Sequence, residues 1–153
     1  MDFVNYMTHP PREIATVALN LDRLMRRIHG ELHPKAEDFD TNKLGPLGGM
    51  LLLTIGDSEP VDAQTVSQQL GRDKSQLSKL IKRLETQGLI GREKSSSDGR
   101  AIMLTLTDAG REQLKSIQDA LTSAVEHVLE PLSAPEKERL GALLAKAAPP
   151  PKP

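Results

Sequence analysis

The hydrophobic period of the sequence changes twice around one short segment, and this limits the folds that the chain can adopt. Up to Gly88, apolar residues mostly recur at steps of three and four, which is the period of an amphipathic helix. Residues 89–93 and 102–107 instead alternate between apolar and polar side chains, and residues 95–100 between them have the composition of a turn. From Thr107 onward the helical period returns. The pattern predicts a mainly helical protein with one small β-hairpin.

Six helices are predicted around this hairpin. The first has an apolar stripe on one face, and the second is apolar on nearly all sides and is expected in the core. The polar segment between them, residues 33–43, is predicted to be a loop, and residues 148–153 are predicted to be a disordered, proline-rich tail. The predicted helices cover residues 11–32, 44–55, 63–70, 74–87, 108–131 and 135–147.

Two of these helices are short and stand close together before the hairpin. Asp62 and Asp73 are their predicted N-caps, because an aspartate oxygen accepts hydrogen bonds from the first free N–H groups of a helix. Gln76 stands at the capping-box position relative to Asp73. A glycine follows each helix and is predicted to end it. The order helix, tight turn, helix and hairpin over residues 62–107 predicts a winged helix-turn-helix.

The positive charge of the chain is concentrated in the same segment. The formal net charge of the 153 residues is −1, but residues 72–100 carry eight basic and four acidic side chains. The segments 1–40, 41–71 and 101–153 each carry more acidic than basic side chains. Any solvated helix can present lysines, so charge alone would decide nothing. A basic segment that coincides with a winged helix-turn-helix pattern, however, is typical of a nucleic-acid interface.

The composition argues against several other functions. Without cysteine, this chain can form no disulfide, thiolate metal site, catalytic thiol or thiol redox sensor. We find no apolar run with the length of a signal peptide or membrane span, and we expect one soluble, cytosolic domain. Aromatic residues make up only 2%, so aliphatic side chains must build the core. No nucleophile elbow, phosphate loop or lysine-base motif appears, so neither an enzyme nor a cofactor is predicted.

The helix over residues 74–87 is the candidate recognition helix. At 100° per residue its leucine and isoleucine side chains share one face, and lysine, serine and threonine side chains lie opposite. Side chains near the N-terminus of a helix in the major groove usually reach base edges, and the other cations contact phosphates. The candidates for base contacts are Ser75, Gln76, Ser78 and Lys79, and those for phosphate contacts are Lys74, Lys82 and Arg83.

Residues 66–110 resemble the MarR family of transcriptional regulators. The segments that carry the resemblance are VSQQLG (66–71), DKSQLSKLIKRLETQGLI (73–90) and LTLTDAG (104–110). Residues 98–100, Asp-Gly-Arg, match the Asp-x-Arg signature of the family's wing. The terminal helices match the family only in length and placement, but they extend the likeness over almost the whole chain.

The resemblance implies a homodimer on double-stranded DNA. Residues 11–32 and 108–147 of both chains would form its dimerisation platform, and residues 44–107 would form two winged units on a pseudo-palindromic operator. In the wing, Arg100 is expected to enter the minor groove and Asp98 to position it.

His29 and His33 are four residues apart at the end of the first helix, a spacing that can chelate a metal. Histidines at exposed helix ends are common and zinc needs a fuller set of ligands, so no metal is predicted. The family resemblance implies instead that this helix end borders a pocket for a small-molecule effector. Its candidate residues are Arg26, His29 and His33, and the expected effector is anionic or aromatic.

A ligand-responsive, homodimeric transcriptional repressor is therefore the leading hypothesis. The alternative is a winged-helix dimer that docks a protein partner and does not bind DNA. The basic segment and the wing signature favour DNA.

Overall fold

The structure, a computed structural model, describes residues 12–97 and 99–151. The strands β1 (Val61–Asp62), β2 (Ile90–Lys94) and β3 (Ile102–Leu106) form an antiparallel sheet in the order β1-β3-β2. The helices are α1 (Arg12–Leu32), α2 (Ala36–Phe39), α3 (Gly45–Ser58), α4 (Ala63–Leu70), α5 (Lys74–Thr86), α6 (Asp108–Val128) and α7 (Ala134–Ala147), and a 3-10 turn, His33–Lys35, precedes α2. The predicted fold class, mainly α with a small β-hairpin wing, is confirmed.

Residues 33–43 are not the continuous loop that the sequence predicted, because the first part of this segment is helical. Pro34 lies in the first turn of the 3-10 segment, where a missing N–H leaves no hydrogen bond unmade. Glu37 and Asp38 lie in the first turn of α2, where carboxylates interact favourably with the helix dipole. The irregular stretch is therefore confined to the few residues between α2 and α3.

The helix α3 is longer than predicted and forms the centre of the core. It continues through Gly56, where a Cβ atom would lie 2.5 Å from the Leu114 side chain, so this glycine allows close packing of α6 and does not end the helix. Leu51, Leu52 and Ile55 of α3 are fully buried. The same cluster includes Val66, Leu77, Leu84, Leu89 and Leu104 from the surrounding elements. As the composition required, these core side chains are aliphatic.

Glu59 links α3, β3 and α6 beyond the end of the short strand β1. The strand β1 pairs only two residues with β3, Val61 with Leu104 and Asp62 with Met103. Beyond this ladder, the N–H of Leu106 donates to the Glu59 carboxylate at 2.7 Å. The other carboxylate oxygen accepts from Arg111 of α6, and this hydrogen bond raises the pKa of Arg111. The Glu59 side chain thus accepts the hydrogen bond that a longer strand β1 would have accepted from β3.

The terminal helices leave apolar side chains exposed. No residue of α1 or α7 is buried in the part of the chain that the structure describes. The exposed apolar side chains include Ile14, Val17, Leu19, Leu21 and Met25 of α1, each 43–58% exposed, and Leu143 and Leu144 of α7. None of the described helices has the length and apolar character that spanning a membrane requires. The hydrophobic effect favours removing these exposed apolar side chains from water.

Gly110, in the first turn of α6, should be intolerant of any side chain. A Cβ atom there would overlap the Leu89 carbonyl oxygen, a backbone atom that cannot move aside cheaply. We expect Gly110→Ala to lower the free energy of unfolding by about 3 kcal/mol or more, the upper part of the range for overpacked sites. Gly141→Ala in α7 is the matched control, since its Cβ would meet nothing within 4 Å, and it should add about 0.5–1 kcal/mol of helix stability. Denaturant unfolding at one protein concentration measures both, and equal midpoints would show that Gly110 does not pack closely against the Leu89 backbone.

Candidate nucleic-acid interface

The turn between α4 and α5 is fixed by its own hydrogen bonds. Gly71 adopts a left-handed conformation with φ 58°, which ends α4, and its N–H donates to the Gln68 carbonyl at 3.2 Å. The Ser67 hydroxyl donates to the Arg72 carbonyl at 2.6 Å, and the Arg72 N–H returns a bond to the Ser67 carbonyl at 3.1 Å. These bonds set the direction in which α5 leaves the turn.

Both helices of this unit begin at an aspartate cap. Asp62 accepts from the Thr65 N–H at 2.7 Å and from the Thr65 hydroxyl at 3.0 Å. The bond from the Thr65 backbone lowers the pKa of Asp62, so the cap is charged at neutral pH. Asp73 caps α5 by accepting from the Ser75 N–H at 2.8 Å. The capping box predicted with Gln76 is not formed in this helix, which leaves the exposed Gln76 amide available to a partner.

The helix α5 presents its polar face to solvent because its apolar face is held in the core. Leu77, Ile81 and Leu84 are buried. All seven predicted contact residues of this helix are exposed: Lys74, Ser75, Gln76, Ser78, Lys79, Lys82 and Arg83. Their arrangement on one exposed surface has the geometry required for insertion into a groove.

Two of the exposed side chains already have partners within the chain. The Ser78 hydroxyl donates to the Lys74 carbonyl at 2.8 Å, so it can offer DNA only its acceptor lone pairs. The Arg83 guanidinium donates to the backbone carbonyl of Lys43, 40 residues earlier. Because arginine has five N–H donors, this bond leaves others for a phosphate, but it also gives Arg83 a structural role that the sequence did not indicate.

An ion pair joins the wing to α5. The Arg92 guanidinium on β2 donates to both carboxylate oxygens of Glu85 on α5, at 2.6 and 3.0 Å. This pair of hydrogen bonds raises the pKa of Arg92. Arg92 therefore contributes to the basic charge of the segment but is committed to Glu85. The sequence did not predict this pair, and the only signal for it was an acidic residue inside an otherwise basic helix end.

The rest of the wing is a regular antiparallel hairpin. The strands β2 and β3 pair from Ile90 with Leu106 to Lys94 with Ile102, and Lys94 and Arg100 are both exposed. Asp98, the predicted positioner of Arg100, lies outside the described residues.

The three predicted effector residues lie at the surface of the described single chain, and their role stays a prediction. Arg26 forms an exposed ion pair with Asp22 at 2.7 Å, and His29 and His33 are exposed. No group of three or more side chains that could hold a metal ion occurs among the described residues. A groove of about 380 Å³ does lie nearby, between the end of α1, the 3-10 turn, α2 and α6. Its lining residues include Glu31, Leu32, Lys35, Asp38, Phe39 and Asp119.

Comparisons with known proteins point to one family. A family model described as the MarR family matches residues 48–101, from α3 through the wing. YxaD of Bacillus subtilis, an uncharacterized HTH-type transcriptional regulator, is 32% identical over 97 residues, which are 63% of this chain and 68% of YxaD. MgrA of Staphylococcus aureus, also an HTH-type transcriptional regulator, is 34% identical over 100 residues, which are 63% of this chain and 65% of MgrA. The matched segment is thus about two thirds of each relative.

A solved structure extends the likeness to the terminal helices. BpsR of Bordetella bronchiseptica, whose DNA binding is regulated by 6-hydroxynicotinic acid, aligns with a TM-score of 0.66 over 87% of this chain and 98% of its own. With 20% identity, this likeness establishes the fold alone.

Proposed function

Because the chain belongs to the MarR family of DNA-binding transcriptional regulators, whose members are not enzymes, we propose that it is a ligand-responsive repressor. In this proposal a homodimer binds a pseudo-palindromic operator in double-stranded DNA. The observation that carries it is the face of α5, where exposed Lys, Ser and Gln side chains stand opposite a buried leucine and isoleucine stripe. A docking module without DNA binding would not require this face, so we do not propose one.

The exposed face of α5 divides into two kinds of contact. Ser75, Gln76, Ser78 and Lys79 lie in its first two turns and are assigned to base edges, since that end of a recognition helix enters the major groove. The phosphate contacts are assigned to Lys74, Lys82 and Arg83, with Arg100 of the wing in the adjacent minor groove.

The dimer is supported by the uncovered faces of α1 and α7. Neither helix has a buried residue in the described single chain. A second copy brings an identical pair of apolar faces, and closed two-fold assembly is the commonest way for a chain to bury such surfaces. Two recognition helices related by a two-fold axis would match two half-sites of a pseudo-palindrome.

The groove between α1, α2 and α6 is the proposed effector site. It lies between α1, α6 and the segment that leads into the winged unit, so a bound molecule would contact all three. Glu31, Asp38 and Asp119 outnumber the one cation, Lys35. Because Lys35 pairs with Glu31 and Lys115 pairs with Asp119, Asp38 is the carboxylate of this lining without an ion pair among the described residues. It favours a ligand with a hydrogen-bond donor, whereas the family resemblance suggested an anionic or aromatic effector. Phe39 and Leu32 provide its apolar contacts.

One experiment tests the dimer and the DNA binding together. A random duplex pool is selected with the wild-type protein, and the enriched duplex is titrated in an analytical ultracentrifuge. We expect a two-chain species without DNA and one such dimer on each enriched duplex, with affinity that falls steeply as salt rises because counterions are released. A stable monomer at micromolar concentration would contradict the proposed assembly, and a pool without enrichment would contradict sequence-specific binding.

Substitutions on α5 should separate base contacts from phosphate contacts. Gln76→Ala and Lys79→Ala should reduce the affinity ratio between the selected operator and random DNA, since one base contact contributes about 1–3 kcal/mol of discrimination. Lys82→Ala should weaken both complexes equally and reduce the salt slope by about one. Competition binding over a salt series measures these effects. Identical behaviour of the three variants would show that α5 is not placed in the groove as proposed.

Arg100 should contribute through the wing. Arg100→Ala is expected to lose about 1–3 kcal/mol of operator affinity, most strongly on operators with A/T-rich flanks, where a narrow minor groove concentrates negative potential. Arg100→Lys should recover only part of this loss because lysine lacks the planar guanidinium. The free energy of unfolding should change by no more than about 0.5 kcal/mol, as for most exposed positions. Unchanged affinity of Arg100→Ala on every flank would remove the wing from the interface.

A further inference from the structure

The segment between α2 and α3, residues 40–43, is here termed the connector, and it contacts both α6 and the recognition helix. Its Asn42 side chain donates to the Gln113 side-chain oxygen on α6 at 2.5 Å, and the Thr41 hydroxyl donates to the same oxygen at 3.2 Å. The Gln113 amide group in turn donates to the Phe39 carbonyl at 2.7 Å. Gln113 is only 4% exposed. Two of these bonds fix the connector to α6 and the third fixes the end of α2 to α6, and all three converge on a buried side chain.

The opposite side of the connector is bound to the end of α5. The Gln87 side chain, directly after α5, donates to the Asn42 carbonyl at 2.8 Å, and the Arg83 guanidinium donates to the Lys43 carbonyl. Asn42 is therefore bonded to α6 through its side chain and to the end of α5 through its backbone. A rotation of α5 relative to α6 would have to break or lengthen these bonds.

The connector cannot relax easily at its own ends. The Asp40 carboxylate accepts from the N–H groups of Leu44 and Gly45, both at 2.8 Å, and so holds the connector to the first turn of α3. The helix α3 is the most deeply buried helix of the described core, with Leu51, Leu52 and Ile55 fully buried. The connector is thus held at three points, and its position is set by the core and not by solvent.

We propose that Asn42, with Gln113 and Gln87, is a positioning residue that sets the angle between α6 and α5 and thereby the half-site spacing that the protein accepts. This inference rests on the proposed homodimeric DNA-binding function, in which α6 belongs to the platform and α5 enters the groove. One base pair added between two half-sites rotates them by about 34° and separates them by about 3.4 Å. A dimer whose recognition helices are held at a fixed angle cannot follow this change without strain.

The Gln87 side chain offers a variant that tests the bond with little loss of stability. Its Oε1 atom is buried, and no described residue donates to it. A buried acceptor without a donor is unfavourable, so removing it offsets the loss of the bond to Asn42. Gln87→Met keeps the length of the side chain and removes both polar atoms. It should therefore remove the bond from Gln87 to the connector, and leave only the bond from Arg83 to the Lys43 carbonyl between α5 and the connector, while the protein remains folded.

The experiment measures binding against operator spacing. An operator selected from a random duplex pool by the wild-type protein is prepared at its native spacing and with one base pair inserted or deleted at its centre. Wild type should lose about tenfold or more in affinity for either altered duplex, as expected when a well-placed contact is disrupted. The affinity of Asn42→Ala and of Gln87→Met for either altered duplex should fall less than about threefold below their affinity for the native spacing, because α5 can turn to follow the displaced half-site. Thr54→Ala is the matched control, since the Thr54 hydroxyl bonds to the Met50 carbonyl within α3 and Thr54 lies outside α1, α5, the connector and the wing, and it should keep the wild-type profile.

The outcomes separate the two proposals. A wild-type protein that selects no operator overturns the proposed function and the positioning role with it. If the wild type discriminates between spacings and the connector variants show the same profile, the positioning role alone is overturned. The same holds if Thr54→Ala flattens the profile as much as Asn42→Ala. Should Asn42→Ala unfold below the binding temperature, Gln87→Met alone decides the result.

Discussion

The orientation of α5, the proposed recognition helix, depends on three aliphatic side chains that it buries in the core. Each of Leu77, Ile81 and Leu84 stabilises the fold by about 1.5–3 kcal/mol when fully buried, whereas the Asp73 cap contributes about 1 kcal/mol. Rotation of α5 by one residue position would expose this stripe, so the hydrophobic term fixes which face meets solvent. The cap and the turn then set where the helix begins. Core packing thus decides which side chains α5 can present to DNA, because burial of the apolar face leaves the polar face exposed.

Burial of one face also decides how much of the fold could be predicted from the sequence. The boundaries of α4, α5 and the hairpin follow from cap residues, glycines and the change of period, which are local signals. The strand β1 was missed because two residues, Val61 and Asp62, carry no detectable alternation. The helical turns at residues 33–39 were missed because a proline and acidic residues are equally typical of loops. Periodicity describes elements that bury a face, and short elements that bury little leave almost no periodic trace.

The interface was predicted less completely, for a related reason. Counting charges identified the basic segment, but it treated every cation alike. In the structure, Arg92 is committed to Glu85 and Arg83 donates to the Lys43 carbonyl, whereas Lys74, Lys79 and Lys82 lie exposed on α5 without an ion pair in the described chain. Such commitments join residues that are distant in sequence, and a single sequence holds no signal for the pairing. Some cations of the basic segment therefore hold the fold together, and others remain available to a partner.

The described chain also separates into a part with its own core and a part without one. Residues of α3, α4, α5 and the sheet bury one another, while α1 and α7 bury no residue. In the proposed homodimer the second copy would cover the apolar side chains that α1 and α7 leave exposed, so the stability of these helices would be linked to protein concentration. The helix α6 belongs to both parts, because Ile117 joins the core cluster while the groove between α1, α2 and α6 lies along its other side.

Ligand binding in that groove can act on DNA affinity only through a difference in binding free energy between two arrangements of α6 and α5. The connector bonds those two helices through buried polar groups, which favour discrete arrangements over gradual deformation because a partly broken network leaves costly unpaired atoms. In the proposed assembly, coupling between α6 and α5 would therefore depend on a few hydrogen bonds. These bonds lie next to the proposed effector groove, where Phe39 lines the groove and its carbonyl accepts from Gln113.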